Sequence, residues 1–598
     1  MRLCAAVRVL LVFSLLMPAP GLVPHAAAQE TAAPPPAAPG GAEIDTVPAD
    51  AIVLSLRECI QQALANNLQI AVSHYDPEVA ESFVGIEQSL FDPTLSGSVY
   101  HQDQTQISRN DFIGTISSGE STYKDVRASW TDPLTIGGSY RIDLEAIGND
   151  GEYDPSIEDP IAGELYKNYT TRWQFTYRQS LLRNLGRNAN IFRIVVAKNS
   201  QDISQSQFHQ TVLDTVAGAI NAYADLNFAI LQLRTARFSL KLAQDFLEQN
   251  RIKVRVGTLA PIEITQAEAQ VADRDEFVIV SEAALRAAED QIRQAIGMRK
   301  DSADWQRPVR PSDPLTLEEF QPNEEDALLA ALSNRPDLKQ AHLDLQSRET
   351  ELRARESLRR WGLDFEGTYG NRGFSAHTYD IDQIVDYGSY SDAYDDLRDR
   401  NQTTWTAGLF LTVPIHNRLA LSNFNAAEST RSQSQVRLAQ VEQLARLQVR
   451  SGVRDVETTL KRVKASQVNV KLQREKLEAE QKKFENGMST SFQVLQFQDD
   501  LSNAETRENL AKVDYNKSLI ELERVKGTLL TRFGVTVEGE GGDSGGESRS
   551  AAVRPLWRGR GDASLEPGLR LAESVEAVRL PADFAFAGGR ASMAEPSR

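Results

Sequence analysis

Two stretches of the chain, from about residue 188 to 255 and from about 419 to 486, read as long helices, and the latter half of each keeps one apolar seven-residue spacing. In the second, Val449, Val453, Val456, Leu460, Val463, Val470, Leu477 and Phe484 advance in four-three steps, with polar breaks at Gln467, Arg474 and Gln481. In the first, Ala219, Tyr223, Leu226, Ile230, Leu233, Leu240, Leu247 and Val254 follow the same register, and Arg237, Gln244 and Arg251 break it at matching places. This spacing predicts two coiled-coil helices, each about 100 Å long at the α-helical rise. No ordinary core accommodates such rods, so the rest of the chain must be arranged along them. A seam broken this often is weak and calls for more than one neighbour.

The rods belong to an internal duplication. A shift of 230 places Gly257 on Gly487, Gln266 on Gln496 and Gly297 on Gly527. A shift of 268 places Leu64 on Leu332, Asn66 on Asn334, Ile70 on Leu338 and Ser89 on Ser357. The two shifts differ because the first copy holds extra residues in its middle. Each copy reads as a shorter helix, strands, a long helix, a Gly-containing turn and a further helix. The shorter helices are expected near 55–90, 260–297, 323–359 and 490–528, two stacked end to end beside each rod. The copies span 51–300 and 323–536, joined by a linker at 301–322.

The strand segments alternate with period two. Trp173, Phe175 and Tyr177 share one face, as do Leu363, Phe365 and Tyr369, Tyr140, Ile142 and Leu144, and Trp405, Ala407, Leu409, Leu411 and Val413. Such patterns suit a sheet with one apolar and one wet face, at lengths that fit tilted strands crossing a bilayer. A water-soluble sandwich with its apolar face inward fits the same pattern. An additional hairpin is expected around 123–146, turning at LTIGG.

The ends carry other information. Arg2 and Arg8 precede and flank an apolar run to Met17, followed by Pro18, Pro20 and Ala26-Ala27-Ala28, the pattern of a signal peptide over 1–28. After it no apolar run reaches the length of a membrane-spanning helix, so a membrane role requires a closed β-barrel. Residues 29–50 read as a flexible Ala/Pro/Gly-rich leader, and 537–598 as a disordered tail. The net charge of −18 argues against a nucleic-acid surface. Cys59 is the one cysteine beyond the signal segment, so no intramolecular disulfide is expected, and it reads as a small buried apolar residue.

Catalytic patterns are missing. The seven His are scattered without metal-ligand spacing, and no phosphate-binding loop, dinucleotide fingerprint or nucleophile elbow occurs. No enzyme, cofactor or metal is therefore expected. The Asp-rich segment at 380–399 lacks a calcium-loop pattern and reads as an extracellular loop.

Taken in order, LSLRECIQQALANN at 54–67, NRPDLKQAHLDLQSRETELRARESLRR at 334–360 and the two Gly turns with their following helices resemble the TolC-like outer-membrane channels, the outer membrane efflux protein family. The resemblance covers roughly 51–536. It implies a mixed α and β membrane protein: a trimeric outer-membrane β-barrel continuous with a long periplasmic α-helical coiled-coil barrel, built from two internal repeats. It further implies a homotrimer in outer-membrane lipid, with a periplasmic membrane-fusion adaptor and an inner-membrane transporter of the RND, ABC or a similar class as partners. Adaptor docking then falls to the turn residues Gly257, Thr258, Leu259, Gly487, Met488 and Ser489. Family members close the periplasmic mouth with acidic residues at positions matching Gln493 and Gln496, where this chain has none. Glu263, equivalent to Gln493 in the first copy, joins Gln493 and Gln496 as constriction candidates, although a helix-start Glu needs no such role. A soluble periplasmic coiled-coil scaffold or adaptor is the alternative reading.

Overall fold

The computed structural model describes residues 50–110, 115–153, 166–313, 319–376, 378–380, 383–386 and 388–537. The signal peptide, all but the last residue of the leader, residues 314–318 of the linker and the tail beyond Val537 lie outside the described residues. Val537 itself is buried against the helices, so the packed chain includes the first residue expected of the tail.

The chain begins with strand β1 (Ile52–Leu54) and helices α1 (Leu56–Asn66), α2 (Leu68–Ser73) and α3 (Tyr75–Gln88). Strands β2 (Thr94–Asn110), β3 (Thr115–Leu134), β4 (Gly138–Tyr153) and β5 (Tyr166–Ser180) follow, then α4 (Arg187–Asn190), the rod α5 (Phe192–Arg255) and α6 (Ile262–Ala295). The second half runs through β6 (Val309–Pro311), α7 (Glu324–Asn334), α8 (Pro336–Leu358), β7 (Gly362–Ala376), the short strands β8 (Thr378–Asp380) and β9 (Gln383–Asp386), α9 (Tyr390–Asp399) and β10 (Gln402–Thr412). It ends with the rod α10 (Arg418–Glu485), α11 (Ser491–Lys526) and α12 (Leu529–Arg532).

The expected helix at 55–90 is broken in three. Asn67 stands extended between α1 and α2, and its side chain accepts the amides of Gln69 and Ile70, which starts a new helix rather than continuing the old one. The expected helix at 323–359 breaks at Arg335, held extended by the ring of Pro336 behind it. α1–α3 lie beside the first part of α5 and α6 beside its second. α7 and α8 line α10 likewise, with α11 along the rest.

The seams form as the spacing requires. All eight apolar positions of the second register are buried, and those of the first are buried or half-buried. The Arg breaks reach sideways to the adjoining helix: Arg237 pairs with Glu282 at 2.8 Å, Arg251 with Glu268 at 2.9 Å and Arg474 with Glu505 at 2.9 Å. Cys59 is fully buried at the seam of α1 and α5.

Where the two helix pairs of each half meet end to end, the linker is pinned. β1 pairs in parallel with β6, and Asp313 accepts the Leu56 amide at 2.7 Å and the Tyr223 hydroxyl at 3.4 Å. In the second half the Tyr515 hydroxyl accepts the Phe320 amide at 3.1 Å.

The six long strands form one antiparallel sheet in the order β10-β7-β5-β4-β3-β2. The additional hairpin is longer than 123–146 and belongs to this sheet, paired along its length with β2 on one side and β5 on the other. Its turn is built into the strand–helix junction. The Ile136 carbonyl accepts the Gly186 amide at 3.1 Å, and the Gly137 carbonyl accepts the Ser180 amide at 3.2 Å.

The register brings Leu95, Trp130, Ile142, Phe175, Tyr369 and Trp405 side by side across all six strands. Every member of this row is more than a third exposed, so this part of the apolar face has no cover from the other described residues. The opposite face is polar. There Glu145 is held between Arg127 at 2.8 Å and Arg172 at 2.7 Å.

Residues 390–399 correct the expectation of a loop. They form α9, which lies against the faces of β5 and β7. Its ordering has a local cause, since the Ser389 hydroxyl caps the Asp392 amide at 3.2 Å and Ala393 is fully buried on the strands.

Candidate functional site

At the far end of the rods from the sheet, each copy reverses through a short turn. α5 stops because Gly257 takes φ +82, after which the Thr258 amide reaches back to the Lys253 carbonyl at 2.9 Å. α10 stops the same way: Gly487 has φ +73 and the Met488 amide reaches the Lys483 carbonyl at 2.9 Å. A Cβ at either glycine meets nothing within 4 Å. The demand for glycine is thus conformational, the left-handed exit from a helix that other side chains resist.

The turns differ in how they re-enter a helix. Pro261 precedes α6 without a side-chain cap, whereas Thr490 caps α11 by accepting the Gln493 amide at 3.4 Å. Gly257, Thr258, Gly487 and Met488 are exposed, Met488 at 71%, while Leu259 and Ser489 are half-buried. Leu259 packs beneath its turn, and the Ser489 hydroxyl donates to Glu480 at 2.5 Å and stands 3.0 Å from the Gln493 side-chain amide.

The two turn regions form one joint. Phe484 is buried at the end of α10, its ring 5.3 Å from that of Phe246 on α5. Lys253 sits 3.7 Å over the Phe484 ring and donates to the Phe484 carbonyl at 3.5 Å. Asn250, fully buried, donates to Ser491 at 3.4 Å. Further in, Asp499 on α11 takes both Arg274 and Gln270 from α6. Burial lowers the Arg274 pKa, so the guanidinium is held where its charge is costly to leave alone.

The constriction candidates are not equivalent. Gln493 and Gln496 are exposed on α11, with Asp500 next along the same helical face and paired to Lys476 at 3.7 Å. Glu263 is half-buried in the first turn of α6, and its Oε2 has no hydrogen-bond partner among the described residues. Glu480 is a further carboxylate at this end. The Ser489 hydrogen bond, then Lys483 at 3.0 Å, hold its pKa below the ordinary carboxylate range.

Sequence reasoning located the turns but missed the contacts between them. Arg274, Asp499 and Glu480 carry no signal in a comparison of the two copies, because the 230-residue shift puts Ala504 on Arg274, Ala269 on Asp499 and Asn250 on Glu480, and Lys253, which falls on Lys483, matches without revealing its partner. Among the described residues no cluster of ligands able to hold a metal ion occurs, and no helix is long and apolar enough to cross a membrane.

The family model described as outer membrane efflux protein matches the chain twice, over residues 59–298 and 327–528. No curated protein matches it. Among solved structures, the CmeC outer membrane channel of Campylobacter jejuni is 15% identical, covering 79% of this chain and 86% of its own, with a TM-score of 0.55. The outer membrane protein VceC of Vibrio cholerae is 12% identical over 79% of this chain and 96% of its own, at 0.54. The open state of the MtrE channel of Neisseria gonorrhoeae is 16% identical over 81% of this chain and 94% of its own, at 0.51. At these identities the likeness is one of fold.

Proposed function

Because the chain belongs to the outer membrane efflux protein family, we propose that it forms the outer-membrane exit duct of a tripartite efflux pump or type I secretion system, conducting passively. Three copies close into one barrel, and an inner-membrane transporter supplies the energy through a periplasmic adaptor docked on the Gly257 and Gly487 turns.

The observation that carries this reading is a pair of free flanks. The sheet ends in β2 on one side and β10 on the other, two edge strands of opposite direction. The same flanks continue into the helices, since α3 leads into β2 and β10 leads into α10. On the first flank Leu68, Val72, Tyr75, Val79, Phe83, Ile86 and Leu90 make a stripe of four- and three-residue steps, each at least half exposed. On the second, Leu419, Val436, Leu444 and Leu447 stand exposed on α10. A copy that lays its β2–α3 flank on the β10–α10 flank of the next pairs both edges and covers both stripes, and the operation repeats until the ring closes. Three six-stranded sheets then give eighteen strands, a number that leaves an aqueous lumen. The apolar row faces lipid and the Arg127–Glu145–Arg172 face lines the water.

Glu263 would contribute one carboxylate from each copy at the periplasmic mouth, a ring that favours cations. Fractionation and planar-bilayer recording test the proposal together. Extraction from outer membranes by detergent alone, followed by single channels whose cation preference falls in Glu263→Gln, is the expected result. Complete release with the periplasm, or a purified protein that never conducts even as Glu263→Ala, contradicts it.

A further inference from the structure

α9 sits on an unexpected side of the sheet. Ala393 is seated over Thr171 and Gly373, partners in the β5–β7 ladder, and the Thr171 hydroxyl donates to the Ala393 carbonyl at 2.8 Å. Gly373 is part of the seat, because a Cβ there would run into the Ala393 carbonyl and the Leu397 backbone. The Tyr390 ring packs at a tilt against that of Tyr169, with centroids 4.6 Å apart, and its hydroxyl occupies the space where Gly148 has no side chain. Thr171, Tyr169, Gly373 and Gly148 all fall on the face that carries Phe175, Trp173, Tyr369 and Ile142, by the period of two along each strand. The helix therefore covers the apolar face, not the polar one.

Its height along the strands is also defined. Thr171 lies four residues beyond Phe175, about 13 Å, toward the end of the sheet away from the long helices. Thr171 is level with Ala146, Val126 and Val99, and one row further out, at Tyr169 and Gly148, the outward face of the other strands stops being apolar. Val99, Val126 and Ala146 give way to His101 and Lys124, and Lys124 pairs with Asp150 at 3.6 Å. α9 turns Ala393 and Leu397 to the wall and leaves Asp392, Asp395, Asp399 and Tyr394 exposed, Tyr394 at 60%.

We infer that α9 is an interfacial helix fixed to the outer wall of the barrel, lying in the headgroup layer of the outer leaflet, where three copies would form a collar. The inference rests on the proposed barrel, because it takes the apolar face as the lipid side. The exposed Tyr394 ring suits that layer, in which aromatic rings with polar tips are favoured. The alternative place for such a segment, over the pore, would require it to pack on the polar face.

Spin labels on the full-length trimer in vesicles containing a nickel-chelating lipid test this, with labels placed singly by Tyr394→Cys, Leu409→Cys and Thr404→Cys. Cys59 is fully buried and does not compete. The expected result is relaxation by headgroup-bound nickel several-fold stronger at 394 than at 404 on the polar face, with 409 accessible to oxygen but shielded from water-soluble nickel. If 409 lies in hydrocarbon while 394 responds like 404, α9 projects into water and the inference is overturned while the barrel stands. If 409 is itself open to water-soluble nickel, the barrel reading fails and the collar falls with it.

Discussion

Arg274 on α6 and Asp499 on α11 form an ion pair that joins the turn region of the first half to that of the second. Arg274 is largely buried and Asp499 is partly exposed, so losing the carboxylate leaves a desolvated guanidinium with Gln270 as its neighbour. With the exposed half of the pair discounted for solvent screening, Asp499→Asn should cost about 1–2 kcal/mol at the joint. The predicted readout is a higher open probability in planar bilayers. The double change Arg274→Met with Asp499→Leu should bring the open probability part of the way back, and unchanged conductance in Asp499→Asn would separate the pair from the mouth.

Phe484 is the apolar centre of the same joint. Its replacement by Ala removes the contact with Phe246 and the seat of Lys253, at about 3–5 kcal/mol for a buried aromatic. Because the loss is local, limited proteolysis should cut at the Gly257 and Gly487 turns in Phe484→Ala well before the rods unfold. Equal cleavage rates in the variant and the parent would mean that the joint is held elsewhere.

Acid should loosen the second turn before the first. The folded pKa of Glu480 is depressed by Ser489 and Lys483, so its contribution is present above the ordinary carboxylate range and is lost as pH falls through the depressed value. Hydrogen exchange of residues 486–493 should therefore rise once pH drops below the ordinary carboxylate range, after correction for intrinsic rates. Glu480→Gln should raise exchange at neutral pH and flatten that dependence. A steep acid response surviving in the variant would assign it to another group.

The hairpin turn at Gly137 is predicted to decide whether the sheet assembles. A Cβ at this position would stand 2.1 Å from the Asn184 carbonyl oxygen, a backbone atom that cannot swing aside. Gly137→Val should lower the yield of detergent-extracted trimer several-fold, while circular dichroism of what remains keeps its helical signal. Normal yield would mean that the hairpin base is dispensable.

The rods and strands were legible in the sequence because their periods are long and clean. The register from Val449 to Phe484 is buried as the spacing requires, and Trp173, Phe175 and Tyr177 lie on one strand face. The breaks were harder. Asn67 and Arg335 interrupt patterns whose apolar period continues across them, since capping and a following proline act on the backbone without disturbing the spacing. α9 escaped because its ten residues are mostly acidic or polar, and what orders it is a seat made by Gly373 and Thr171 far from it in sequence. The turn glycines announced themselves through the duplication, whereas Arg274–Asp499 and Lys253–Phe484 join the two halves and leave no trace in either alone.

The strand count of the assembled particle tests the central claim most directly. Electron cryomicroscopy of the detergent-extracted protein should reveal one threefold-symmetric barrel of eighteen strands, six from each copy, with β2 of one copy paired antiparallel to β10 of the next. A monomeric sheet, a two-sheet sandwich, or a barrel from which β3 and β4 are excluded would contradict it.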